Sequence, residues 1–183
     1  MPRPPRIQVG GATYHVSSKS SARRPIFLDR SDRELFMSIL ATVVRRHAWS
    51  CTAYCLMTTH YHLLVKTPEP DLAAGMQRLN GCYATSFNHR HGTSGHVLGG
   101  RYHAELIETD GHLLETCRYI ALNPVRAGLC DEPESWRWGS YRGAIGLVPA
   151  DETFAVDALL RLFARETDRA RARLRSFVED GWR

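Results

Sequence analysis

Two histidines lie one residue apart in the apolar stretch TTHYHLLVK, residues 58–66. On an extended strand, residues i and i+2 share a face, so His60 and His62 project together while Tyr61 and Leu63 point the other way. Strand geometry separates their Cα atoms by roughly 6.5–7 Å. Two imidazoles at that spacing can close on one metal ion, with a third ligand drawn from elsewhere and open positions left for water or substrate. The pair is also open to a plainer reading, as a hydrogen-bonded polar cluster on a sheet. The apolar flanks favour a paired role, because burying an unpartnered polar group costs about 1–3 kcal/mol.

Two known H-x-H chemistries fail on the residue that carries them. A cupin wants a Glu four or five positions after the second His, where Lys66 and Thr67 stand. A histidine-triad nucleotide hydrolase wants a third His where Leu64 stands. A second informative stretch is CRYIALNPVRAG, residues 117–128. Tyr119 and Asn123 are spaced i, i+4, so on a helix they stack on one face, and Glu115 continues that face one turn earlier. By spacing alone this reads as packing followed by a helix stop.

The elements that must position these side chains are legible from periodicity. Residues 12–18 form a β-prone first strand. Ser31 to Glu34 has capping-box spacing and opens a helix to about His47, with Leu35, Ile39, Leu40, Val43 and Val44 on one stripe. Strands over 50–57 and 60–66 follow, joined by Thr58-Thr59. A helix over 71–88 carries Leu72, Met76, Leu79, Tyr83 and Phe87, and a Gly-rich polar loop covers 89–100. A fourth strand over 101–108 leads into a helix over 110–122, which Asn123-Pro124 is expected to stop. Residues 129–150 are loop-rich, and 154–179 read as one long final helix. The order β-α-β-β-α-β predicts an α+β fold: a ferredoxin-like split βαβ core with a four-stranded antiparallel sheet. The His pair falls on an inner strand, and the Tyr119 helix and a C-terminal helix are added to the core.

The bulk numbers set the class. A chain of 183 residues with 43% hydrophobic residues suits one domain with its own core. No apolar run is long enough to span a bilayer, and the N-terminal Met1-Pro-Arg-Pro-Pro-Arg lacks the apolar stretch of a signal peptide. A cytoplasmic protein with no membrane partner is expected. The five cysteines (Cys51, Cys55, Cys82, Cys117, Cys130) are odd in number and form no C-x-x-C pair, which argues against a disulfide framework or zinc knuckle. They read as small buried hydrophobes. Net charge is +5, and Lys19 and Lys66 are the only lysines, so arginine supplies nearly all of the excess. Guanidinium binds phosphate bidentately, which points to nucleic acid; a G+C-rich genome produces the same enrichment.

Taken together, the motifs resemble the HUH single-tyrosine transposases of the smallest insertion sequences, and most closely the REP-associated tyrosine transposases. The matching pieces are YCLMTTHYHLLV, GMQRLNGCYATSFNHRHGTSGHVLGGRY and CRYIALNPVRAG, followed by WRWGSYR. The N-terminal PRPPRIQVGGATYHV and RRPIFLD also fit, so the likeness runs from about residue 1 to 147. Residues 1–147 are expected to form the catalytic domain and 148–183 a C-terminal helical extension on or beside it. Two departures stand out: Tyr61 as the middle residue of the His motif, and Thr58-Thr59 where Pro-Asn is often found. Neither removes a ligand.

The resemblance implies cleavage and strand transfer of single-stranded or hairpin DNA. It makes His60 and His62 metal ligands, Asn123 the residue completing the site, and Tyr119 the nucleophile that forms a 5′-phosphotyrosine. A phenol with an ordinary pKa of about 10 is a weak nucleophile at neutral pH, so a divalent ion, Mg²⁺ or Mn²⁺, is expected to polarise the phosphate. Glu115 is a candidate orienter behind the ligands. Arg90, Arg101 and Arg126 are candidate phosphate contacts, and Tyr102 and Tyr83 candidate stacking platforms. Arg3, Arg6, Arg23 and Arg24 are candidates for an N-terminal grip. Three functions remain distinct at this level: the tyrosine transesterase, a module that binds hairpin DNA or RNA without cutting, and a metallophosphoesterase with a water nucleophile. Monomer and homodimer are both compatible with the resemblance.

Overall fold

Alternation along the central strands decides which side of the sheet each residue serves. A computed structural model of the chain describes residues 8–20, 24–151 and 153–182. Four strands, β1 (Thr13–Lys19), β2 (Ser50–Leu56), β3 (His60–Lys66) and β4 (His103–Ile107), form one antiparallel sheet in the order β2-β3-β1-β4. This is the predicted split βαβ arrangement. β3 is internal, and Met57 N–H closes on the His60 carbonyl at 2.9 Å across the Thr58-Thr59 turn.

On one face, Tyr14, Val16, Tyr61, Leu63 and Val65 pack against α1 (Arg30–Arg46) and α2 (Leu72–His91). The buried residues Leu72, Met76, Leu79, Tyr83 and Phe87 of α2 recur at the predicted spacing. On α1 the centre of the buried stripe is Phe36, one position from the expected Leu35. Its cap also differs. The Asp29 carboxylate accepts from Asp32 N–H at 3.0 Å, and Asp32 accepts in return from Asp29 N–H at 3.4 Å. The reciprocal box is built two residues earlier than Ser31, with Asp in both roles. The last turn of α2 extends to His91, ahead of Gly92, which takes the left-handed conformation at φ 61°.

The opposite face carries His62, Leu64, Ala53 and Cys55. It is covered by α3 (Asp110–Arg126), α4 (Tyr141–Ala144), α5 (Val156–Leu160) and α6 (Thr167–Asp180). Two expectations change here. The final helix is broken into α5 and α6, with Glu166 capping α6 by accepting from Asp168 and Arg169 N–H, both at 2.8 Å. Leu159, Leu160, Leu174 and Val178 all bury in one core with Cys117 and Ile120. One straight helix of that length would span roughly 39 Å and could not return to the same surface. The second change is that Asn123-Pro124 does not stop α3. Pro124 removes a single donor near the helix end, and the last turn is held by Ala127 N–H to Asn123 O at 3.0 Å and Leu129 N–H to Pro124 O at 2.9 Å.

Of the cysteines, Cys51, Cys55 and Cys117 are buried as expected, while Cys82 is exposed and Cys130 half-buried; all five are free thiols. No helix among the described residues is long and apolar enough to cross a membrane.

Candidate active site

The site lies where the polar positions of β3 and β1 meet α3. His62 is buried and His60 half-buried on the α3 side of the sheet. Their rings stand 5.1 Å apart between centroids and nearly perpendicular, at 88°. α3 starts at Thr109, whose hydroxyl accepts from His112 N–H at 3.1 Å. From that start the helix brings Tyr119 and Asn123 over the pair. Asn123 is buried, with its amide nitrogen 3.4 Å from His62 Nε2. The Tyr119 ring stands edge-on to His62 at 5.4 Å, within a single chain. Tyr119 is 40% exposed, so the side chain is open to solvent.

Because α3 continues through Pro124, Arg126 shares the face of Tyr119 and Asn123, two turns on from Tyr119. Its guanidinium lies 5.8 Å from the Tyr119 ring centroid. Together with His15, Glu105, Glu115 and Arg118, these two side chains line an open cavity of about 470 Å³. Glu115 is exposed and sits 3.5 Å from Arg118, at the mouth of this cavity. Arg118 also lies over the Phe177 ring at 3.7 Å, which ties α3 to α6.

A third histidine, His15, joins the pair, and no local spacing links it to them. It sits on β1 with its Nε2 3.0 Å from His62 Nδ1, and its ring is 5.7 Å from Tyr119. The usable signal was a third histidine in a strand that the split βαβ order pairs with β3. The register sets His15 opposite Leu64 and Ser17 opposite His62, which puts His15 and His62 diagonally on one face.

Burial sets the charge state of all three rings. His62 is pushed down to about 3, first by desolvation and then by the neighbouring His15 and His60. Desolvation also lowers His60, against a hydrogen bond with Asn123 that raises it. It lowers His15 too, partly offset by Glu105. The rings are therefore neutral near pH 7 and keep lone pairs for bonding. Among the described residues no three His, Cys, Asp or Glu side chains are grouped to hold a metal ion. The donor set that does converge is two neutral imidazoles and one amide, and this set fits a divalent ion with open positions.

The other candidate DNA contacts fall elsewhere. Arg90 is tied to Asp29 at 2.6 Å and Asp32 at 2.5 Å, locking the end of α2 to the start of α1. Tyr102 is 7% exposed and Tyr83 fully buried, its hydroxyl donating to the Ile26 carbonyl, so neither presents a ring face to a base. Arg101 is exposed and lines, with Gln77, Asn80 and His96, a groove of about 680 Å³ against α2. That groove is on the far side of the sheet from Tyr119. Arg24 is exposed, and Arg3, Arg6 and Arg23 lie outside the described residues.

Comparison with known proteins adds three findings. A family model described as "Transposase IS200 like" matches residues 8–123. A solved structure of a REP-associated tyrosine transposase bound to a REP hairpin superposes with a TM-score of 0.69 at 19% identity, covering 85% of this chain and 96% of that one. A putative transposase from Deinococcus radiodurans R1 gives a TM-score of 0.46 at 18% identity, covering 64% of this chain and 95% of that one. No curated protein sequence matches the chain.

Proposed function

This chain belongs to the IS200-like transposase family, and on that premise we propose that it cuts and rejoins single-stranded DNA through a covalent bond to Tyr119. The observation that carries the reading is the placement of the Tyr119 ring 5.4 Å from His62, with Asn123 one turn further along the same helix. The Tyr119 hydroxyl oxygen attacks a backbone phosphorus. The bond from phosphorus to the 3′-oxygen breaks, the phenolic proton passes to solvent, and the released 3′-oxygen takes one up. The product is a 5′-phosphotyrosine and a free 3′-OH. No oxidation or reduction occurs, and the ester conserves the bond for rejoining.

His60 and His62 would hold a Mg²⁺ or Mn²⁺ ion through ring nitrogens, and Asn123 through its amide oxygen. The ion would supply charge stabilisation at the phosphate and the departing oxygen. Arg126, beside Tyr119, is placed to meet the phosphate backbone. Glu115 stands at the rim, where its pairing with Arg118 orients that side chain. Because a protein of the same fold is bound to a REP hairpin, hairpin-forming DNA is the substrate class we assign.

The test is a denaturing gel of labelled single-stranded hairpin DNA incubated with the protein and Mn²⁺. A retarded covalent protein–DNA band is expected, and Tyr119→Phe should abolish it. A band that survives that substitution overturns the assignment of Tyr119.

A further inference from the structure

The contact between His15 and His62 has a direction. Two imidazole nitrogens 3.0 Å apart must be one donor and one acceptor. A neutral ring carries one proton, so the other nitrogen of each ring is decided by the same choice. On His62 the second nitrogen, Nε2, faces the Asn123 amide nitrogen at 3.4 Å. An amide N–H only donates, so Nε2 is the acceptor and the His62 proton lies on Nδ1. His62 Nδ1–H then donates to His15 Nε2, and the His15 proton lies on Nδ1. That nitrogen faces the Glu105 carboxylate, 3.9 Å away on β4, where Glu105 is the cross-strand partner of His15. The chain of donors runs one way, from Asn123 through His62 and His15 towards Glu105.

We propose that His15 is a positioning residue, which holds His62 as the Nδ1–H tautomer so that its Nε2 lone pair faces the seat shared with His60 and Asn123. The inference rests on the reading of that seat as a metal site. A ligand imidazole is ordinarily oriented by an acceptor behind its other nitrogen, and loss of such a partner weakens metal binding by about 10–100-fold. Here the acceptor is a second imidazole on the neighbouring strand. His62 is 6% exposed, so water is a poor substitute for it. Without His15 the proton moves to Nε2, where Asn123 can turn its oxygen to accept it, and the lone pair is lost to the seat.

Two measurements test this. The ring ¹⁵N shifts of His62, recorded on the metal-free protein, report its tautomer directly. Mn²⁺ titration followed by electron paramagnetic resonance reports affinity without any cleavage assay. Wild type is expected to show Nδ1–H. His15→Phe should shift His62 towards Nε2–H and weaken Mn²⁺ binding by about 10–100-fold. His15→Gln, whose amide oxygen can accept the same proton, should stay within a few-fold of wild type. Wild-type His62 found as Nε2–H overturns the proposal without any variant having to fold. So does a His15→Phe protein with unchanged tautomer and unchanged Mn²⁺ affinity, and that result leaves the Tyr119 chemistry standing. A wild type that takes up no Mn²⁺ overturns the metal seat, and the affinity claim with it, while the metal-free tautomer still decides whether His15 sets His62.

Discussion

Two imidazoles one residue apart on β3 become a defined pair because burial keeps them neutral while their neighbours differ. His62 meets His15 on one side and Asn123 on the other, whereas His60 is half-buried beside Thr59, whose hydroxyl is 3.2 Å from its Nδ1. A lowered pKa arises by another route at Asp29. There the Arg90 guanidinium, followed by the Asp32 backbone, holds the carboxyl near 2, below its ordinary 3.8. The folded state therefore binds fewer protons than the unfolded state between these values. The stability this carboxylate contributes is fully present above about 3.8 and is lost as pH falls towards about 2. Urea midpoints measured across that window should fall more steeply for wild type than for Arg90→Ala, which removes the cause of the shift. Parallel curves would sink the argument. The same pairing explains why Arg90 reads as a DNA contact in sequence and acts as a strut in the fold.

At the level of elements, α2 shows how one helix carries two glycines for different reasons. Gly75 faces the Trp49 indole, and a Cβ added there would overlap the ring. Trp49 cannot easily move, because its Nε1–H donates to Asp71 at 2.9 Å, and Asp71 is also 2.5 Å from His47 Nδ1. Gly81 is exposed, with nothing within 4 Å of the corresponding position. Gly75→Ala should therefore destabilise the protein by about 1–3 kcal/mol through overpacking. Gly81→Ala should stabilise it by up to about 1 kcal/mol from helix propensity. Equilibrium urea unfolding of the two variants checks both signs, and a Gly75→Ala protein as stable as Gly81→Ala would refute the steric account. On α3 the informative feature is the persistence through Pro124, which keeps Tyr119, Asn123 and Arg126 on one face.

At the level of the whole molecule, the groups of the proposed site come from β3 and α3 of one chain, with His15 behind them on β1. α3 is held on the sheet by the buried contact of Cys117 and Ile120 with Leu174 and Val178, and by Arg118 against Phe177. The helix that bears Tyr119 is thus clamped over its own His pair by α6. It follows that two inactive proteins cannot repair each other. A mixture of His62→Ala and Tyr119→Phe should give no covalent DNA band on the denaturing gel. Recovery of the band on mixing would mean that α3 crosses between copies, contrary to this packing.

The sequence by itself determined the order of elements from β1 to α3, the internal position of β3, the common face of His60 and His62, and the common face of Tyr119 and Asn123. Each follows from a local period of 2 or 3.6 residues. Motifs in that order were also enough to indicate the transposase resemblance. Only the tertiary structure decided what depends on residues distant in the chain: that His15 backs His62, that Arg90 is neutralised by Asp29, that Tyr83 and Tyr102 are core residues, and that the last helix breaks to bury both halves on one surface. A side chain's type and periodicity are written locally, but its partner and its exposure are set by strand register and layer packing. Those decide whether a histidine, an arginine or a tyrosine is left free to meet DNA.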